Sequence, residues 1–141
     1  MASISTIEIK NDMTKEVLEA MKSQVLLGMK ACGMEAEGYA KADCPVDTGL
    51  LRNSITWALG GEVPAVTSYS SNDGTEKGSY SGQLPKPADG EYTLYVGTNV
   101  EYAVHVEYRD ASHKTGKAHF LRDSLTQHAD TYRAILEAAL K

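Results

Sequence analysis

Pro45-Val46-Asp47-Thr48-Gly49-Leu50-Leu51-Arg52-Asn53-Ser54-Ile55 is the stretch on which the fold turns. Pro45 lacks an amide hydrogen and disfavours helical geometry in the residue before it, so a helix arriving from upstream stops here. Asp47 or Thr48 can cap one new turn that holds Leu50 and Leu51. Ile55, Trp57 and Leu59 then alternate with Ser54, Thr56 and Ala58, which reads as a strand ended by Gly60-Gly61. Helix, turn and strand thus follow one another within a few residues.

Upstream, Val17, Leu18, Met21, Val25, Met29, Cys32, Ala36 and Tyr39/Ala40 recur every three or four residues, which predicts a helix from Thr14 to Ala42. Asn11, Asp12 and Thr14 offer N-caps, and Glu37 and Lys41 stand in the favourable i,i+4 order. Unbroken, that helix would run about 43 Å, whereas a globule of this chain length has a radius of gyration of about 14 Å. Gly28, Gly33 and Gly38 lie within it, each unfavourable by about 1 kcal/mol relative to Ala. Either they mark a kink or break, or the stripe Gly28, Cys32 and Ala36 admits another backbone at close range.

Downstream, Glu62 to Glu91 is rich in Gly, Ser, Thr, Asn, Asp, Lys and Pro around the turn signal Asn72-Asp73-Gly74. It reads as a long loop, or as a hairpin with Val63 to Tyr69 facing Gly78 to Leu84. Tyr92 to Thr98 is a second strand, rich in aromatic and branched residues. Asn99 can cap a short helix within Val100 to Tyr108, with Tyr102, Ala103, Val106 and Glu107 toward the sheet. After a polar loop from Arg109 to Lys117, the positions Phe120, Leu121, Leu125, His128, Tyr132, Ile135/Leu136 and Ala139/Leu140 predict one C-terminal amphipathic helix. Asp123 and Lys141 suit its dipole. The expectation is α+β: a long N-terminal helix and a C-terminal helix on a small, mainly antiparallel sheet, in one domain spanning 1–141 with 62–91 inserted.

The 141 residues suffice for one modest core, hiding about two-thirds of the unfolded surface. Fourteen Lys and Arg are scattered among nineteen acids for a net charge of −5, so no basic stripe tracks phosphates and specific nucleic-acid binding is not expected. No run approaches the length of a membrane span, and Met1 to Asn11 has no cationic start followed by an apolar run. These features predict a soluble protein. Cys32 and Cys44 flank helical sequence, too far apart to bridge, and read as reduced and partly buried.

Asp47-Thr48-Gly49 matches the tripeptide of aspartic proteases, in which two copies bring paired carboxylates to share one proton. There it follows an apolar strand in an almost all-β fold. Here it follows a long helix and Cys44-Pro45, so an aspartic-type protease centred on Asp47 is the alternative reading and a helix cap the preferred one. His105, His113, His119, His128 and Glu107 follow no established zinc spacing, and no histidine stands in a recognisable context with a nucleophile. No phosphate-cradling glycine loop occurs. No catalytic residue, metal or cofactor is therefore expected. A generic homo-oligomeric binding module, with Tyr69, Tyr80 and the polar stretch between them as contact surface, is a further alternative.

Three segments together resemble the tail-component family of lambda-like siphophages, described as neck, tail-completion or head-tail joining proteins. Pro45 to Ile55 is similar to that family's Pro-Val-Asp-Thr-Gly motif with its apolar-Arg step and Ser-Ile. Val96-Gly97-Thr98-Asn99-Val100-Glu101-Tyr102-Ala103 with Val106-Glu107-Tyr108 is similar to its Val-Gly-Thr, Tyr-Ala and Val-Glu-aromatic run. Ala118-His119-Phe120-Leu121-Arg122 looks like its Pro-Phe-Leu-Arg start of the last helix. The likeness spans roughly Met29 to Lys141, with Arg109 where Gly is usual, His119 where Pro is usual, and a longer 62–91. It implies a structural virion protein, made in the host cytoplasm, that forms a ring at the head-tail junction between the capsid connector and the tail tube. Sixfold symmetry is the first expectation and twelvefold the next. Pro45, Asp47, Thr48, Gly49, Leu50, Gly97, Tyr102, Glu107, Phe120 and Leu121 are the structural motif positions. Arg52, Asn53, Tyr69, Tyr80 and Arg122 are the candidate interface.

Overall fold

The computed structural model describes residues 14–86, 92–108 and 116–141. The caps foreseen at Asn11 and Asp12 and most of the polar loop after Tyr108, His113 included, lie outside them. Helix α1 spans Thr14–Asp43, α2 Leu50–Ser54, and β1 Thr56–Leu59. They are followed by β2, Ser68–Ser70, β3, Lys77–Ser79, and β4, Leu94–Gly97. Three helices close the chain: α3, Ala103–Tyr108, α4, Phe120–Thr126, and α5, Ala129–Ala139. The α+β expectation holds, with α1 as the spine against which α4, α5 and β1 are laid.

α1 runs unbroken for 30 residues, so Gly28, Gly33 and Gly38 mark no break; the first two are contact points, and Gly38 faces open space. A Cβ on Gly28 would meet Ala139 and Leu136 of α5 at 3.0 Å. At Gly33 it would stand 2.6 Å from the Trp57 ring. Gly33→Ala should therefore push Trp57 aside and destabilise the fold by about 1–3 kcal/mol, the usual range for overfilling a packed site. Denaturant melts would check this, and an unchanged midpoint would mean that Trp57 is not seated on α1. The foreseen ion pair is present, with Lys41 Nζ 3.3 Å from Glu37 Oε1.

The core gathers where α1 ends: Ala40, Cys44, Leu51, Ile55, Ala103 and Phe120 are buried together, with Val100, Val106 and Leu121 packed around them. The first part of α1 contributes nothing to it. Val17, Leu18 and Met21, expected to face inward, are 53%, 50% and 49% exposed, and every side chain from Lys15 to Ser23 is exposed. The helix is about 45 Å long at 1.5 Å per residue and outruns the elements that cover it.

β1 pairs antiparallel with β4, Thr56 opposite Gly97 through Leu59 opposite Leu94. The expected alternation of burial along β1 is absent: Thr56, Ala58 and Leu59 are all buried. α1 packs against one face, while the chain after Gly61 runs along the outer edge of β1, where Ala65 N–H bonds the Trp57 carbonyl at 2.9 Å and Val66 N–H the Thr56 hydroxyl at 2.8 Å. That segment contains the hairpin, paired Ser68 to Ser79, Tyr69 to Gly78 and Ser70 to Lys77.

The single C-terminal helix foreseen from Phe120 onward is two helices. The break at Gln127 and His128 is held from outside the segment by Tyr39 of α1, on which His128 stacks with ring centroids 3.5 Å apart and planes within 4°, and from within it by the Tyr132 hydroxyl, which donates to the Ser124 carbonyl. Leu125, placed inside by the helical period, is 45% exposed. No helix among the described residues is long and apolar enough to cross a membrane.

Candidate assembly surface

The Pro45 to Ile55 stretch is a joint between α1, the hairpin and the sheet. α2 is entered through Gly49 in the left-handed region, φ 86°, with no side-chain cap. The cap expected from Asp47 or Thr48 is met in part: Gly49 holds the cap position, and the Thr48 hydroxyl, one residue earlier, takes the first amide of the turn. Asp47 is exposed; the Thr48 hydroxyl accepts the Leu50 N–H at 3.3 Å, and its carbonyl takes the Asn72 N–H at 2.7 Å. Glycine is needed at 49 twice over, for its φ and because a Cβ there would overlap the Asn72 side chain. Leu51 is buried and Leu50 half-buried at the foot of α1.

The hairpin is fastened to this joint by polar contacts between residues far apart in sequence. Asn53 donates to the Ser70 carbonyl at 2.8 Å and to Asn72 Oδ1 at 3.2 Å. Tyr80 donates to the Ser54 carbonyl at 2.6 Å and accepts the Asn99 N–H, while Tyr69 donates to Asn99 Oδ1 at 2.5 Å. The two rings lie 5.5 Å apart. Asn53, Tyr69 and Tyr80 were candidates for meeting a neighbour; the structure turns their polar groups onto the chain itself. Asn99 is correspondingly a hairpin clamp and not a cap, and the Thr98 hydroxyl takes the Val100 N–H at 3.1 Å. Burial pushes the Tyr80 hydroxyl pKa up, partly offset by its bonds to Thr98, Asn99 and Ser54.

The hairpin turn is organised by one carboxylate. Asp73 accepts from the Ser71 hydroxyl and from the Thr75 N–H and hydroxyl, which hold its pKa down to about 2. A group depressed in the folded state adds stability that is present above its unfolded pKa, 3.8, and is lost as pH falls toward 2. Carbon-detected titration should place the Asp73 midpoint near 2. A midpoint at the ordinary carboxylate value would mean that the turn bonds do not form.

Glu107, a motif position, has a role that its sequence context only hints at. It is buried on α3, and its two carboxylate oxygens accept the N–H groups of Leu121 and Arg122, each at 2.9 Å. Its own carbonyl takes the His119 N–H at 2.9 Å. Glu107 thereby satisfies two of the free amides at the start of α4 and places Phe120, with no exposed surface, in the core. His119 sits at φ 60°, a conformation a proline ring forbids, so the chain does follow its own path where the resembled family has Pro. Nearby, Lys117 Nζ lies 3.5 Å from Asp43 and 3.2 Å from Asp123, and Arg122 Nε lies 3.1 Å from Asp123. Burial draws the Asp123 carboxyl upward, and these two cations outweigh it, leaving it below the usual range. Sequence reasoning had assigned Asp123 only to the helix dipole.

Of the motif positions, Gly97 ends β4, and Tyr102 is 44% exposed beside buried Ala103. The thiols of Cys32 and Cys44 are free and buried, and burial pushes the Cys44 pKa to about 12. Among the described residues no three His, Cys, Asp or Glu side chains are grouped to hold a metal. Among the described residues, exposed large apolar side chains stand along α1 at Val17, Leu18, Met21, Leu27 and Met34, and elsewhere at Val63, Tyr92, Tyr102, Val104, Tyr108, Leu125 and Leu140. Arg52 is half-buried and Arg122 is turned to Asp123.

Residues 7–108, well over half of the chain, match the family described as "Bacteriophage HK97-gp10, putative tail-component". The match takes in the Pro45 to Ile55 joint and the Val96 to Tyr108 run, and stops short of Ala118 to Arg122. No curated protein and no solved structure gives a match. A scaffold whose polar contacts are spent on its own joints, with apolar surface left on a projecting helix, suits that family, and the chain belongs to it: a bacteriophage tail component, a structural part of the virion.

Proposed function

We propose that this chain assembles into a closed ring at the head-tail junction, joining the capsid connector to the tail tube. The observation that carries this reading is the start of α1, where Val17, Leu18 and Met21 lie uncovered on a helix that outruns its own core. A ring interface is heterologous, one surface of each copy meeting a different surface of the next, and a projecting apolar helix supplies one such surface. Sixfold symmetry, matching tails, is preferred and twelvefold is next. The net charge of −5 would give the ring wall no attraction for DNA passing through. On this reading the protein has no catalytic role, and Asp47-Thr48-Gly49 is a joint.

Native mass measurement of the purified protein, free and with tail tube, tests the proposal together with electron microscopy of particles from a deletion mutant. The expected result is a single closed oligomer and a failure of heads and tails to join. A protein that stays monomeric under all conditions, with normal infectious particles formed in its absence, would overturn it.

A further inference from the structure

α1 carries two apolar stripes that the described residues leave largely bare. At about 100° per residue, Leu18, Met21 and Val25 line up with Gly28, Cys32 and Ala36 on the inward side. α5 runs antiparallel along that side: His128 stacks on Tyr39, the Tyr132 carbonyl meets the Cys32 thiol, and Leu136 and Ala139 meet Gly28. There α5 ends. Before Gly28 the inward stripe goes on without it, and Leu18 and Met21 stay half exposed. The second stripe, Leu27, Ala31, Met34 and Gly38, lies about 140° round the helix from the first. The outer side of a surface helix ordinarily carries polar and charged residues. Here Leu27 is 66% and Met34 62% exposed, and the neighbouring lysines are drawn aside, Lys30 toward Glu62 and Lys41 toward Glu37. Gly38 sets this stripe apart. Glycine is a poor residue for a helix interior, and close contacts within the chain account for Gly28 and Gly33. A Cβ on Gly38 would meet nothing within 4 Å, so nothing among the described residues of this copy requires its absence.

We propose that these stripes are the two halves of one head-to-tail contact: the bare start of α1 in one copy lies on the outer stripe of α1 in the next. This rests on the ring reading above and names the surface that the helix start meets. Leu18 and Met21 enter between Leu27 and Met34, where Ala31 and Gly38 leave room for them. The neighbour's helix then continues the row at the point where α5 stops.

A second copy is the occupant that the two surfaces favour. Every chain carries one stripe of each kind on nearly opposite sides, so a succession of copies covers both with no other protein and closes when the rotation closes. The stripes are also unlike in shape, bulky side chains on the one and two small residues on the other, which is what interlocking requires. Copies related by a sixfold rotation hold their helices within about 60° of parallel, a range that includes the crossing angles of about 20° and 50° at which helix faces pack. The centres of the stripes are about 16 Å apart along the helix, so α1 is inclined to the ring axis.

Native mass measurement of the full chain tests the proposal, under the conditions in which the wild type closes. Met21→Glu places a charge in the first stripe and Met34→Glu in the second, at exposed positions outside the core. Each variant alone should remain monomeric, its association weakened at least about a hundredfold. Mixed, they should form a 1:1 complex and nothing larger, because each keeps the stripe that the other has lost. Gly38→Ala adds a result of opposite sign: the dissociated chain should melt about 2–4 °C higher, while association falls at least about tenfold. A closed ring of Met34→Glu or of Gly38→Ala at wild-type strength would overturn the outer stripe as the contact and leave the ring reading standing. If that ring then failed to dock on the tail tube, the stripe would belong to a different protein. Dimers of either Glu variant alone would mean that like stripes pair, and a mixture that stays monomeric would separate the two stripes; either result overturns the inference. A wild type that never assembles, alone or with tail tube, would remove the ring reading itself.

Discussion

Phe120→Ala should destabilise the protein by about 3–5 kcal/mol, enough to consume much of the stability of an ordinary domain. Phe120 is fully buried and is the largest side chain in its cluster. Its neighbours there include Ala40, Ala103 and Cys44, small groups that cannot swing into the space left behind, so the cavity term adds to the lost transfer energy. The site also ties together four elements: α1 through Ala40, α2 through Leu51, α3 through Ala103, and α4 through Phe120 itself. Thermal unfolding should fall by roughly 10 °C at 2–4 °C per kcal/mol. Phe120→Leu keeps most of the volume and should lose less than about 1.5 kcal/mol. A loss below that figure in Phe120→Ala would show that the domain is not organised around this cluster.

How much of this was legible in the sequence depended on how local the determinants are. The helix-turn-strand joint could be read because Pro45, Gly49 and the alternation after Ser54 act on their own neighbours. The projecting helix could be foreseen in its length but not in its exposure, because the period of Val17, Leu18 and Met21 is that of a buried face whether or not anything arrives to cover it. The break after Thr126 was invisible for the opposite reason. The apolar period continues through it, and the break depends on Tyr39, remote in sequence, stacking on His128. The same holds for the hairpin: polar and Tyr-rich sequence looks like contact surface, and only the spatial partners of Asn53, Tyr69, Tyr80 and Asn99 reveal it as a clamp. Gly28 and Gly33 read equally well as kinks until α5 and Trp57 are seen against them.

Glu107 is the case in which a signal was present and its meaning was not. A carboxylate on the same helical face as Ala103 cannot remain buried unless it is bonded, and the structure supplies two backbone donors from α4. Glu107→Ala should leave the Leu121 and Arg122 amides without acceptors in a half-buried setting and destabilise the protein by about 2–4 kcal/mol, since bonds to a charged group are the stronger kind. Glu107→Gln separates the cap from mere volume. An amide keeps the shape but offers one oxygen, so one N–H stays bonded while the other faces an NH2 group, and about half of the loss should remain. Urea unfolding of the two variants checks the ratio. If Glu107→Gln is as stable as the parent, the bidentate cap is not what holds α4; if it falls between the parent and Glu107→Ala, the carboxylate is the link that carries the α3 motif to Phe120. In that case the Val-Glu-aromatic run and the last helices form one mechanical unit, and a ring contact made on α3 through exposed Val104 or Tyr108 would be transmitted directly to the core beneath α1.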